Sequence, residues 1–233
     1  MGKYINYLKY VLEHKKNVFK VCWKEKMYLH AFTHDLSKFS PIEFFAYAEN
    51  FYGKKDCSTC AKSTGCKLDK SSCRYTHKDF DAAWEHHQIR NKHHWNYWTY
   101  DLDKYYSEPG ISLQECKLKN PKPMPYKYIK QMLCDWEAMN VKFGGTSQKF
   151  YLEHYNDIEL EEGTRVCLEY NLNLIPLLNA AYSECNWEVH VPIKSVIEDY
   201  SKTEYGMKIL KEELFTKIDE KFGVDTYDLI TRK

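Results

Sequence analysis

Several features that mark membrane, exported or nucleic-acid-binding proteins are missing from this 233-residue sequence. No run approaches the roughly 20 apolar residues of a membrane-spanning helix, and the mean hydropathy is −0.67. The first residues show neither an apolar core segment nor a small-residue cleavage site, so nothing indicates export. Basic and acidic side chains nearly balance, at 34 against 33, which argues against a domain that holds nucleic acid through a general basic field. We therefore expect a cytoplasmic protein whose partner is neither a membrane nor a nucleic acid.

Signs of β structure, of internal repeats and of a phosphate-binding glycine loop are also absent from the sequence. Apolar residues instead recur at helical spacing in most segments, as in the stripe of residues 4–22 that includes Leu8, Val11 and Leu12. Ser40-Pro41-Ile42-Glu43 has the form of a capping box with proline at the first helical position. The pattern predicts an all-α fold with helices over about 4–22, 26–38, 41–52, 78–101, 124–143, 146–155, 160–172 and 207–222.

The composition changes after Asn173, where Pro176 and Pro192 interrupt the helical pattern. We predict a helical domain over residues 1–172, with a cysteine-rich insertion at about 54–76, and a helical C-terminal extension over residues 173–233. The amphipathic helix at 207–222 is suited either to docking within the chain or to a homo-oligomer interface.

The nine cysteines form two groups, and because their number is odd they cannot all pair within one chain. One group clusters in a polar loop, as Cys57, Cys60, Cys66 and Cys73. Such a loop has little apolar surface to order it, and four thiolates bound to one Zn²⁺ would do so. An iron–sulfur cluster and unmetallated thiols remain alternatives. The other five cysteines are scattered, and most of them lie in apolar stretches. They are expected to be small core residues: Cys22, Cys116, Cys134, Cys167 and Cys185.

Histidine and aspartate occur together in a way that indicates a metal site. His34-Asp35 lies inside the apolar helix predicted over 26–38, where it presents a nitrogen and an oxygen ligand from one turn, and His14 interrupts the first predicted helix. Asp135 lies in a third apolar helix, where a carboxylate is costly to bury unless it is paired or bound to metal. If these side chains converge, their mixed nitrogen and oxygen shell suits Mn²⁺, Fe²⁺, Co²⁺ or Zn²⁺.

The order His, His-Asp and Asp resembles the HD-domain superfamily of metal-dependent phosphohydrolases. The resemblance is closer to an HD-like family of bacterial and phage proteins, in which the segments HDLSKFSPIEF, HQIRNKHHWNYW and MPYKYIKQMLCDW occur in this order. It covers residues 4–172 and implies an HD-domain-like helical bundle. The residues that it implies as ligands of one metal are His14, His34, Asp35 and Asp135. It also implies a second metal, bridged by Asp35 and held by two further histidines.

Those further histidines must come from the segment between residues 85 and 95. On one continuous helix His87, Asn91 and His94 share a face, with the two imidazoles about 10 Å apart along the axis. One of the two is then expected to bind metal while the other contacts a substrate phosphate or donates a proton. We predict His87 and His94 as ligands, and Lys38, His87, Asn91 and His93 as catalytic or substrate-contacting residues. Packing against neighbouring tryptophans is the alternative role for the His87 and His94 pair.

These features predict a metal-dependent phosphohydrolase that uses a metal-activated water on a small phosphorylated substrate such as a nucleotide. Trp95 and Trp98 are suited to stacking against a base, although core packing is the commoner use of tryptophan. Two alternatives remain open at this stage. One is a di-iron oxygenase of the HD type, which would use the same nitrogen and oxygen ligands. The other is a non-catalytic binding protein that the metal stabilises.

Overall fold

The computed structural model describes residues 2–53, 78–181 and 190–232. Helices make up the regular structure of these residues, which contain no β-strand and only an isolated antiparallel bridge between Tyr100 and Lys117. The predicted all-α fold is therefore confirmed. The chain divides into two compact units, Met1–Asn91 and Lys92–Lys233. The predicted boundary between residues 172 and 173 stays a prediction.

The first unit is built around a long N-terminal helix. Its helices are α1 (Gly2–Lys24), α2 (Tyr28–Thr33), α3 (Pro41–Tyr52) and α4 (Lys78–Arg90), with a 3₁₀ turn at Leu36–Phe39. Helix α1 packs against α2 and α3, and α3 also packs against α4. The core of this unit consists of tyrosines and small aliphatic side chains, namely Tyr7, Val11, Tyr47, Ala48 and Ala83.

Helix α1 buries a different face from the one that its leucines suggest. Leu8 and Leu12 are 38% and 51% exposed. Five of the six buried positions are spaced by three or four residues and include a histidine, as Tyr7, Val11, His14, Val18 and Cys22, and the sixth is Asn17. The apolar stripe of residues 4–22 therefore coincides with the buried face at Val11, Val18 and Cys22 but not at Leu8 and Leu12.

The predicted helix over 26–38 is broken at the His-Asp pair. Helix α2 ends at Thr33, and Asp35 has φ of 52°, in the left-handed region that asparagine and aspartate tolerate best among non-glycine residues. Asp35 is thus the residue at a chain reversal instead of a member of a helix. The start of α3 is as predicted, since the Ser40 hydroxyl accepts from the backbone N–H of Glu43 and Pro41 occupies the first position.

The predicted helix over 78–101 was too long. Helix α4 ends at Arg90, and a separate 3₁₀ helix at Trp95–Thr99 begins after His94. The side chain of Asn91 donates to the carbonyl oxygen of His87 at 2.8 Å, which satisfies an acceptor at the helix end. His87 and His94 therefore do not share one continuous helix, and the predicted common face does not exist.

The second unit contains the remaining helices. They are α5 (Leu102–Ser107), α6 (Tyr126–Phe143), α7 (Ser147–Glu153), α8 (Glu162–Asn171), α9 (Leu174–Ala181), α10 (Ile193–Tyr200), α11 (Glu204–Ile209), α12 (Thr216–Phe222) and α13 (Thr226–Thr231). The helices predicted over 124–143, 146–155 and 160–172 are confirmed to within a few residues. The one predicted over 207–222 is divided by a π-helical turn at Leu210–Leu214, and Leu210, Leu214 and Ile218 are buried in the core.

The described cysteines differ in their burial. Cys22, Cys116 and Cys134 are buried, as predicted, and Cys167 is half-buried. The remaining five cysteines lie outside the described residues: Cys57, Cys60, Cys66, Cys73 and Cys185. The zinc site predicted for the cysteine-rich loop therefore stays a prediction. Among the helices that the structure describes, none is both long and apolar enough to cross a membrane.

Candidate metal centre

The His-Asp pair lies at the reversal between α2 and the 3₁₀ turn of the first unit. His34 and Asp35 are 1% and 4% exposed, and His34 Nε2 is 3.3 Å from Asp35 Oδ2. The amino group of Lys15, on α1, donates to the carbonyl oxygens of Phe32 and His34 at 2.8 and 3.0 Å. These two bonds attach the backbone of the reversal to α1.

Two further histidines approach this pair from other helices of the same unit. His14 Nε2, on α1, is 3.2 Å from His34 Nε2. His87 Nε2, on α4, is 3.5 Å from Asp35 Oδ1. Around a tetrahedral ion with bonds of about 2.1 Å, neighbouring ligand atoms lie about 3.4 Å apart. The spacing of these nitrogen and oxygen atoms therefore fits metal ligation, and the described residues include buried His and Asp groups able to hold a metal ion.

The Asp35 carboxylate is held in its charged form by its neighbours. Burial raises its pKa, but the charges of His34, Lys38 and His87 outweigh burial and keep the pKa of Asp35 well below its usual value. Lys38 Nζ is 2.5 Å from Asp35 Oδ2. Asp35 is therefore an anion at neutral pH, as a hard oxygen ligand of a divalent cation must be.

A second buried carboxylate in the site, Glu43, was not predicted from the sequence. Glu43 is 0% exposed, and its oxygens lie 2.9 Å from His87 Nδ1 and 2.8 Å from His86 Nδ1. The Ser37 hydroxyl also donates to Glu43, at 3.0 Å. Burial raises the pKa of Glu43, but its hydrogen bonds with His87, His86 and Ser37 outweigh burial and hold that pKa below its usual value. A carboxylate on Nδ1 leaves Nε2 of His87 as the ligand nitrogen, facing Asp35.

No signal in the sequence joins residue 43 to residue 87. The sequence indicates that Glu43 is part of a capping box, and its backbone N–H does donate a hydrogen bond to the Ser40 hydroxyl. Its side chain instead joins residues more than 40 positions away along the chain. Asn91 belongs to the same network, because its amide donates to the Ser37 hydroxyl at 3.0 Å as well as to the His87 carbonyl.

The structure thus brings together the predicted site residues of the first unit, His14, His34, Asp35, Lys38 and His87, with Asn91 at the edge of the network. His93, His94 and Asp135 belong to the second unit. His93 is buried, His94 is half-buried before the 3₁₀ helix, and Asp135 is half-buried on α6 between buried Cys134 and Trp136. Their assignment as catalytic or metal-binding residues stays a prediction, which rests on the resemblance for Asp135 and on the residue pattern of segment 85–95 for His93 and His94.

The Glu43 contacts predict a loss of metal affinity in the variant Glu43→Gln. The neutral amide no longer attracts the Nδ1 proton of His87, so the ligand nitrogen is less basic and less well oriented. We expect metal affinity to fall by about 10- to 100-fold, the usual effect of removing an outer carboxylate. Competition with a chromophoric chelator measures this change.

The matched control for this variant is Glu49→Gln on the same helix. Glu49 is half-buried and pairs with Lys3, away from the histidines. We expect Glu49→Gln to bind metal like the wild type. Equal metal affinity of Glu43→Gln and the wild type would show that Glu43 does not orient His87.

A comparison with protein families identifies the chain independently of the site geometry. Residues 3–174 match the model of a family of unknown function (DUF5662). No curated protein and no solved structure matches the chain. The matched residues make up most of the 233-residue sequence and include the whole of the candidate metal centre. The chain therefore belongs to the family of unknown function DUF5662.

Proposed function

We propose that this protein is a metal-dependent phosphohydrolase that acts on a nucleotide or a related phosphoester. The observation that carries the proposal is the buried set of His14, His34, Asp35 and His87, whose nitrogen and oxygen atoms lie 3.2–3.5 Å apart in succession. This set contains no thiolate, so it suits Mn²⁺, Fe²⁺, Co²⁺ or Zn²⁺. When bound, such an ion supplies a Lewis acid for phosphoryl oxygens and lowers the pKa of a bound water.

The chain's own residues divide the remaining work. His14, His34, Asp35 and His87 hold the ion, and Glu43 fixes the ring of His87. Lys38 places a positive charge beside Asp35, where it can contact a phosphoryl oxygen and stabilise charge that develops there. The roles predicted from the sequence for the remaining residues complete the proposal: Asp135, which the resemblance implies, and His94 as further ligands, and Asn91 and His93 as substrate contacts.

The burial of these groups supports a catalytic role over a role in simple surface binding. The four ligand side chains are each no more than 4% exposed, so charges around them act through a medium of lower dielectric than water. A cluster of titratable groups with such contacts is a site candidate on physical grounds.

The test begins with metal analysis of protein that has been purified without added metal. We expect bound metal in the wild type, and phosphate release from a panel of nucleotides and simple phosphoesters with Mn²⁺, Co²⁺ or Fe²⁺. Both should be lost in the double variant His34→Ala/Asp35→Ala. Absence of metal in the wild type would overturn the proposal.

The same experiment separates the competing functions. Bound iron with oxygen consumption and no phosphate release would favour the di-iron oxygenase. A metal-loaded protein that turns over nothing, and whose biological effect survives in the folded double variant, would be a binding protein stabilised by its metal.

A further inference from the structure

Two tyrosines in the core of the first unit bury hydroxyls that lack hydrogen bonds. Tyr7, on α1, and Tyr47, on α3, are 1% and 3% exposed, and their ring centroids are 5.9 Å apart. Neither hydroxyl makes a hydrogen bond with any part of the chain that the structure describes. A buried hydroxyl without a partner costs about 1–3 kcal/mol. Two adjacent ones call for a physical explanation.

Both tyrosines lie beside the candidate metal centre. Tyr7 precedes His14 by two turns of α1, and Tyr47 follows Glu43 by one turn of α3. The ring of Tyr47 also packs edge-on against His87, with centroids 6.2 Å apart. The helices that carry the metal ligands and their supporting carboxylate therefore carry these hydroxyls too.

The charges of the centre act on both hydroxyls. Burial is the main reason that the pKa of Tyr7 is raised, with Lys38 lowering it and Glu43 and Asp35 raising it. Burial also raises the pKa of Tyr47, and Glu43 and Asp35 add to the effect. A phenol hydroxyl with its ordinary pKa of about 10 is already protonated at neutral pH, so both hydroxyls are available as donors.

Donors of this kind fit an oxyanion. The two neutral hydroxyls and the ammonium group of Lys38 can donate hydrogen bonds to acceptor oxygens. The side chain of Lys38 is 14% exposed, so part of it contacts solvent. We propose that Tyr7, Tyr47 and Lys38 bind the phosphoryl oxygens of the substrate beside the metal centre. This inference rests on the proposed function and adds to it the residues that select a phosphate group.

The proposal predicts opposite effects on stability and on phosphate binding. Removing an unpartnered hydroxyl relieves the cost of burying it, so Tyr→Phe variants should unfold at the same temperature as the wild type or at a higher one. The same variants lose a donor to phosphate. A hydroxyl with a purely structural bond, for example to a buried water, would give the reverse result.

The experiment measures inorganic phosphate binding by calorimetry, on metal-loaded protein, together with thermal unfolding and metal content. A hydrogen bond contributes about 1 kcal/mol, or about fivefold in affinity. We expect each of Tyr7→Phe and Tyr47→Phe to weaken phosphate binding about fivefold and the double variant to weaken it about 30-fold. Metal content should not change.

The matched control is Tyr151→Phe in the second unit. The hydroxyl of Tyr151 donates to Glu169 at 2.7 Å and accepts from Arg165 at 2.9 Å, so its loss leaves buried partners unsatisfied. We expect this variant to unfold at a lower temperature while it binds phosphate like the wild type.

The outcomes separate this proposal from the function on which it rests. Wild-type protein without metal overturns the proposed function, and phosphate affinity of the metal-free chain then decides whether the two hydroxyls bind an anion. Metal-loaded wild type that binds no phosphate, or equal phosphate affinity in wild type and double variant, overturns the hydroxyl site alone. Variants that lose their fold or unfold at a lower temperature would show that the hydroxyls are structural.

Discussion

Replacing Asp35 with asparagine is expected to abolish metal binding while the fold is retained. Asp35 lies within 3.5 Å of nitrogens of His34 and His87 and contacts Lys38, so it joins the two halves of the ligand set. Asparagine has almost the same shape but lacks the negative charge, and a neutral amide is a poor ligand in a nitrogen-rich site. We expect the affinity to fall by more than the roughly 100-fold that follows the loss of an outer carboxylate.

With asparagine at position 35, backbone strain cannot be the cause of a loss of metal. Asp35 has φ of 52°, and asparagine adopts this left-handed conformation as readily as aspartate does, whereas alanine would add strain. Any loss of metal in Asp35→Asn therefore comes from the charge. Metal analysis after dialysis, with circular dichroism to monitor the helices, measures both parts of the expectation.

A second aspartate provides the control for this change. Asp101 is half-buried and caps α5 by accepting from the backbone N–H of Lys104, and asparagine caps helices equally well. Asp101→Asn should therefore retain both the metal and the stability of the wild type. Stoichiometric metal in purified Asp35→Asn would exclude Asp35 as a ligand.

Helix ends were predictable from sequence where the signal is local. Helix α3 begins after Ser40 and Pro41, and helix α6 ends before Gly144, whose φ of 78° is favourable for glycine. In each case the residues that end the helix lie within a few positions of it. The capping residue and the helix can then be recognised together in a short stretch of sequence.

The two helix breaks at the site were not predictable in this way. Asn91 follows the last residue of α4, and its amide reaches Ser37, 54 residues earlier in the chain. Asp35 leaves the helical conformation where its carboxylate meets Lys38 and His87. Because Ser37 is distant in sequence from Asn91, and His87 from Asp35, helical periodicity alone extended both helices through the break.

The candidate metal ligands could be predicted from the sequence, but the carboxylate that hydrogen-bonds to His87 could not. His14, His34, Asp35 and His87 followed from residue chemistry and from the resemblance, and the structure brings these four together. The role of Glu43 could not be predicted, because the sequence shows only a glutamate in the first turn of a helix. Its hydrogen bonds with His86 and His87 join residues that are distant along the chain. Supporting residues of this kind become visible only when the distances are known.

A rise in pH from 5 to 8 is expected to reduce the stability of the protein through Glu169, a buried residue of α8. Its carboxyl group accepts from the Tyr151 hydroxyl at 2.7 Å and from the backbone N–H of Ile193 at 2.8 Å. Burial raises the pKa of Glu169 to about 7, although these bonds and the charge of Arg165 oppose the shift. The folded chain therefore holds the proton more tightly than the unfolded chain, in which the carboxyl group has its ordinary pKa of 4.5.

The sign and size of the effect follow from this difference in pKa. The stabilisation is fully present below the ordinary pKa and is lost as the pH rises through about 7, because the folded state must then bury a charge. At about 1.4 kcal/mol per pKa unit, we expect the loss between pH 5 and pH 8 to be about 2–3 kcal/mol. Glu169→Gln cannot titrate, so the free energy of unfolding of the wild type should fall by this amount relative to the variant.

Urea denaturation of the two proteins across this pH range measures the difference, and groups that titrate in both cancel from it. The control is Glu161→Gln, since Glu161 is a half-buried residue that caps the same helix. Bonds from the backbone N–H groups of Gly163 and Thr164 hold the pKa of Glu161 below its ordinary value. Its variant should therefore differ from the wild type by a constant amount between pH 5 and pH 8. An equally constant difference for Glu169→Gln would mean that the buried carboxyl group keeps one protonation state throughout, and that the network of Tyr151 and Ile193 does not respond to pH.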